Sequence, residues 1–107
     1  MKEIKAYIKP HKLSPVFLAL HKIPDLTGMS VIDAKGYGRS RMQNYGLKDY
    51  VPHVKIEVVC TDDLVDTVIK TIEKAAYTGL RGDGKIYVSP VENAVRIETG
   101  ERGEDAV

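Results

Sequence analysis

The chain has 107 residues, enough for one domain with a modest core, and its 43% hydrophobic and 29% charged residues are ordinary for a globular protein. A formal net charge of +1 lacks the basic excess of a dedicated nucleic-acid binder, and no apolar run approaches the ~18 residues of a membrane span. The single cysteine, Cys60, excludes an internal disulfide and a cysteine-only zinc site, and the N-terminal MKEIKAYIK has no apolar signal core, so a reducing, cytoplasmic setting is expected.

The first element, residues 3–9, alternates by twos. Ile4, Ala6 and Ile8 point one way; Glu3, Lys5, Tyr7 and Lys9 point the other. This predicts a half-buried strand ended by Pro10. Ser14-Pro15 then predicts a helix start, with Ser14 as N-cap and Pro15 in the first helical position. Val16, Ala19, Leu20 and Ile23 keep helical spacing until Pro24. A second strand is expected over residues 29–35, broken by Gly36-Tyr37-Gly38. Residues 39–52 have no period and read as a long loop containing Arg39, Arg41, Tyr45, Lys48, Asp49 and Tyr50.

Val54, Ile56, Val58 and Cys60 mark the clearest strand, with Lys55, Glu57 and Val59 on its other face. Thr61-Asp62-Asp63 predicts the cap of a second helix and places acid at its positive end. The apolar stripe of that helix is Leu64, Val65, Val68, Ile69, Ile72, Ala75 and Ala76. Residues 78–85 form a glycine-rich loop, and residues 86–88 a fourth strand ended by Pro90. Residues 95–97 leave room for a short further strand, and the charged tail 100–107 is expected to be mobile.

The order β-α-β-β-α-β with right-handed crossovers predicts an α+β, ferredoxin-like domain spanning residues 1–107. Four antiparallel strands carry both helices on one face. The other face would present Lys5, Tyr7, Glu57, Val59 and Tyr87. That mixture is too apolar for idle surface and suggests a trimer core or a stacking platform.

Three segments could carry chemistry. Gly79-Leu80-Arg81-Gly82-Asp83-Gly84-Lys85 satisfies most of a P-loop spacing, but Ile86 and a strand follow where Ser or Thr and a helix are required. Either it binds an anion through backbone N–H groups and Lys85, or it is a glycine-rich turn with a solvated lysine. Gly36-Tyr37-Gly38-Arg39 would let backbone approach a ligand closely, or simply end a strand. The long loop is either functional, with Tyr45 and Tyr50 as anchors for a partner, or solvated. His11, His21 and His53 have no metal-ligand spacing, Cys60 reads as a core thiol, and no nucleophile–base constellation is visible.

The residues Thr78 to Val88 resemble the B-loop signature of the PII signal-transduction proteins. Residues 94–104 resemble their C-terminal loop, and Ile8-Lys9-Pro10-His11-Lys12-Leu13 and Lys35-Gly36-Tyr37-Gly38-Arg39 match as well. The resemblance covers nearly the whole chain. It implies a homotrimer with ATP, ADP or AMP in clefts between subunits, and a T-loop, here about residues 39–52, that docks onto a transporter or a regulated enzyme. By position, Gly36, Tyr37 and Gly38 would line the nucleotide. Gly82, Asp83, Gly84 and Lys85 would hold phosphates with Arg39 and Arg96, while Ser30 and Val59 would lie near the adenine. Arg41, Tyr45 and Tyr50 would belong to the partner-binding loop. The resemblance implies no catalysis, no nucleic acid and no membrane insertion.

The departures mark a divergent member. The T-loop is short. Ser40 stands where the family has a glutamine that helps bind Mg-ATP and 2-oxoglutarate, and His53 replaces the lysine that pairs with 2-oxoglutarate. Glu98 replaces a second phosphate-binding arginine, which should favour ADP or AMP over ATP and leaves any role of magnesium open. A slow nucleotide hydrolase, an RNA platform using Tyr7 and Tyr87, and a trimeric metal-tolerance protein of similar fold are the alternatives.

Overall fold

The computed structural model describes residues 1–37 and 50–107. The elements in chain order are β1 (Lys2–Ile8), α1 (Leu13–His21), β2 (Ser30–Gly36), β3 (Val51–Cys60), α2 (Val65–Ala76) and β4 (Lys85–Pro90). The strands form one antiparallel sheet in the order β2-β3-β1-β4, the ferredoxin-like arrangement expected from the element order. The period-two pattern fixes the register: Ile4 faces Val58, Ala6 faces Ile56 and Ile8 faces Val54. These side chains share one face of the sheet. They are sealed by Val16 and Leu20 of α1 and by Val68, Ile72 and Ala76 of α2, all buried. Cys60 lies in the same core, and burial pushes its thiol pKa up.

Several boundaries differ from the sequence reading. Ser14 is not an N-cap. A 3-10 turn over Pro10–Lys12 runs directly into α1, whose cap position is Lys12. Helical backbone therefore begins before Ser14, and Pro15 sits inside the first turn, where its missing N–H costs little. Asp62–Leu64 likewise form a 3-10 turn ahead of α2, and the Thr61 hydroxyl donates to the Asp63 carboxylate rather than capping a backbone N–H.

β2 ends on Gly36, and β3 begins at Val51 rather than Val54, so Val51 and Pro52 are strand, not loop. Pro52 is tolerated because it pairs with Lys35 beyond the point where β1 runs alongside β3. Residues 95–97 form no further strand. A single bridge, Val95 to Arg102, closes a small hairpin supported by Arg96 N–H to Glu101 O at 2.9 Å and Gly103 N–H to Ala94 O at 2.9 Å. The tail then folds into a 3-10 turn at Gly103–Ala106, and Val107, half-buried, lines a cleft with Glu3, Val59 and Val95.

Candidate functional site

The face of the sheet away from the helices carries Lys5, Tyr7, Ile32, His53, Lys55, Glu57 and Tyr87, by the alternation that buries their neighbours. It is knitted by ring and charge contacts. Tyr7 and Tyr87 meet edge to face at 6.2 Å, and the Lys55 ammonium lies 5.9 Å from the Tyr7 ring centre. Lys55 pairs with Glu57 at 2.7 Å, which raises the lysine pKa and lowers that of the carboxyl. Lys5 pairs with Glu3 at 3.1 Å.

A cleft of about 510 Å³ opens at one end of this face. Gly36, Tyr37 and His53 form one wall and Gly84, Lys85 and Tyr87 the other, with Lys5 and Tyr7 between. The two glycine segments thus share a cleft although β2 and β4 are opposite edges of the sheet. Both reach it because the C-terminal end of β2 and the N-terminal end of β4 lie at the same end of the antiparallel sheet. Among its described lining residues the charged groups are Lys5, Lys35 and Lys85, and no carboxylate joins them. Such a wall attracts anions.

The loop between α2 and β4 owes its shape to one carboxylate. Asp83 accepts from the Thr78 N–H at 2.8 Å, the Gly79 N–H at 3.3 Å and the Thr78 hydroxyl, and pairs with Lys9 at 3.1 Å. The Thr78 hydroxyl and N–H, with help from Lys9, hold the Asp83 carboxyl far below the usual carboxylate range. Gly79, Gly82 and Gly84 have φ of +79°, +80° and +108°, conformations that glycine adopts freely.

The residues singled out in the sequence therefore separate. Gly36, Tyr37, Gly84 and Lys85 line the basic cleft. Asp83 points its carboxylate into its own loop. Ser30 and Val59 line a second cleft of about 600 Å³ at the other end of the sheet, together with Glu3, Glu57, Val95 and Val107. Arg96 follows Val95 on the exposed C-terminal hairpin. Tyr50, expected in the partner-binding loop, packs at its base: its ring meets Tyr37 at 5.9 Å and Lys35 at 4.5 Å. Gly38, Arg39, Ser40, Arg41 and Tyr45 lie outside the described residues. Lys9, which the sequence reading assigned no role, emerges as the partner of Asp83. Its spacing from the glycine loop gives no hint of that contact.

An open ferredoxin-like sheet thus carries a basic, glycine-walled cleft whose charge suits an anion. The chain matches the family described as "Nitrogen regulatory protein P-II" over residues 1–101. It is 49% identical to the nitrogen regulatory protein P-II of Azospirillum brasilense and 49% identical to that of Bradyrhizobium diazoefficiens, each alignment covering all of both chains. The fold superposes on Arabidopsis thaliana PII bound to citrate with a TM-score of 0.85 and 40% identity, covering 99% of this chain and 91% of that one. The chain belongs to the nitrogen regulatory protein P-II family of signal-transduction proteins. The alignment with the Azospirillum protein runs over 113 residues, more than the length of this chain, in keeping with a segment shortened here.

Proposed function

We propose that the chain is a non-catalytic, cytoplasmic sensor of adenine nucleotides that works as a homotrimer and controls a transporter or enzyme through residues 39–52. The observation that carries this reading is the division of the candidate ligands between two clefts at opposite ends of one sheet face. A single copy presents the phosphate-type groups, Gly84 and Lys85, at one end and the base-type groups, Ser30 and Val59, at the other. A neighbouring copy that brings its second cleft against the first completes one site. Lysines and exposed N–H groups suit a phosphate chain. The acceptors Glu57 and Ser30 suit the exocyclic amine of adenine.

Gly82 and Gly84 contribute by their backbone, Asp83 by holding the loop, and Arg96 from the C-terminal hairpin. Gly38 and Arg39 extend the Gly36-Tyr37 wall in sequence. The basic cleft has no carboxylate among its described lining residues to hold magnesium, so any magnesium arrives with the nucleotide. Gly36 pairs with Val51, and Tyr37 touches Tyr50, so a nucleotide on Gly36 and Tyr37 sits at the stem of the partner-binding loop. Its differential affinity for two loop states would bias the loop. The solved relative carries citrate, another polyanion, in keeping with an anion site.

Calorimetric titration with ATP, ADP and AMP tests this. Saturable binding of at least one of them supports the reading. Absence of binding of all three at millimolar concentration would defeat it, as would a monomer in sedimentation equilibrium.

A further inference from the structure

The last residues of β1 hold the glycine-rich loop at two points. The Gly84 backbone packs directly on the Tyr7 carbonyl, and the Lys9 side chain reaches the turn itself. The Lys9 ammonium donates to the Thr78 hydroxyl at 3.2 Å and pairs with Asp83 at 3.1 Å. That hydroxyl in turn donates to Asp83 and accepts from the Leu80 N–H at 3.1 Å. Lys9 and Asp83 side chains are only 16% and 23% exposed, so the pair is sheltered from the screening that empties most surface ion pairs of value. Lys9 does not line the basic cleft. Its charge is directed at the loop, not at the space a ligand would occupy.

We propose that Lys9 is the positioning residue of this loop: through Asp83 and Thr78 its ammonium locks residues 78–85 in the shape that offers backbone N–H groups and Lys85 to an anion, without touching the ligand. The role rests on the nucleotide reading above. The physical reason is a matter of counting charges. Asp83 brings a negative charge beside a site for phosphate. Lys9 neutralises it and ties both carboxylate and hydroxyl down, so the loop presents donors instead of repulsion. Asp83 is faced by Lys9 from the end of β1 and by Thr78 from its own loop, and it shares a hollow with Glu73 and Tyr77 at the end of α2 and with Lys85 of β4.

The test compares ADP affinity of the trimer in wild type, Lys9→Met, Lys9→Arg and Lys85→Ala from neutral to acid pH, with hydrogen exchange at the Thr78 and Gly79 amides in the nucleotide-free protein. Lys9→Met is expected to weaken ADP on the order of tenfold, from the loss of a charge-assisted contact. It should also speed exchange at both amides. Asp83 then protonates more readily, so the acid fall-off of affinity moves toward neutral pH. Lys9→Arg should restore most of the affinity. Should Lys9→Met fail to fold, Thr78→Val removes the bridging hydroxyl and is expected to act in the same direction.

Unchanged affinity and unchanged amide exchange in Lys9→Met, with Lys85→Ala impaired, would overturn the positioning role and leave the nucleotide reading standing. A loss equal to that of Lys85→Ala, with the pH profile and amide exchange unmoved, would make Lys9 a direct ligand and also overturn it. A wild type that binds no nucleotide would sink the parent reading and the role together.

Discussion

Gly84 and Tyr7 meet backbone to backbone: a β-carbon on Gly84 would fall 1.6 Å from the Tyr7 carbonyl oxygen. Gly84 also has φ +108°, outside the range of L side chains. Gly84→Ala must therefore push the start of β4 away from β1. Gly100 has φ +76° but no neighbour within 4 Å, so Gly100→Ala carries backbone strain alone. In urea melts we expect Gly100→Ala to cost about 1 kcal/mol, and Gly84→Ala to cost at least about 2 kcal/mol more. Equal losses would contradict the close approach.

Gly36 makes a different demand. Its φ is unremarkable, but a β-carbon there would lie 2.7 Å from His53 Nδ1, an atom that also sits 3.2 Å from the Val51 carbonyl. The obstacle is a side chain, so it is removable. A double-mutant cycle should show Gly36→Ala costing roughly 1–2 kcal/mol in the parent and much less in a His53→Ala background. Additive losses would mean that the two residues do not compete for space.

The fold was legible because its period-two and helical patterns coincide with what is buried: Ile4, Ala6, Ile8, Val54, Ile56 and Val58 on one sheet face, Val68 and Ile72 on a helix stripe. The helix starts are less legible, because Pro10–Lys12 and Asp62–Leu64 form 3-10 turns that run into both helices, so helical backbone begins without a side-chain cap at either. Half of the candidate site was legible too. Gly36 and Gly84 fall in glycine-rich segments that interrupt the strand pattern, and Lys85 stands at a strand start, so these cleft residues announce themselves in sequence. The Lys9–Asp83 contact does not, since it joins residues brought together only by the pairing of β1 with β4. Nor did the sequence indicate that Ser30 and Val59 would face a cleft apart from Lys85; that follows from strand polarity.

Glu98 stands exposed on the C-terminal hairpin, two residues from Arg96. If that hairpin approaches the phosphates, charge reversal should act most on the most highly charged nucleotide. Glu98→Arg should raise ATP affinity several-fold more than AMP affinity at low salt, and the gain should shrink as ionic strength shortens the Debye length below about 10 Å. Calorimetry at two salt concentrations checks this; a gain identical for ATP and AMP would place Glu98 away from the phosphates.

Cys60 is 1% exposed, and burial, followed by the charge of Asp63, pushes its thiol pKa up. The folded protein should resist thiol reagents even at mildly alkaline pH and react at a rate set by unfolding. Alkylation followed by mass spectrometry, with and without urea, measures this. Fast modification of the native chain would mean that the β3 end opens locally.

The central claim is that one nucleotide is shared by unlike clefts of two copies. Subunit mixing tests it most directly. Lys85→Ala disables the phosphate end, and Val59→Glu blocks the base end; each variant by itself should bind ADP poorly, Lys85→Ala by roughly ten- to a hundredfold. Unfolded together and refolded as mixed trimers, they should recover a fraction of sites with wild-type affinity, because some neighbours then pair an intact Lys85 with an intact Val59. Mixed trimers that bind no better than either parent would place the whole site within a single chain and contradict the account.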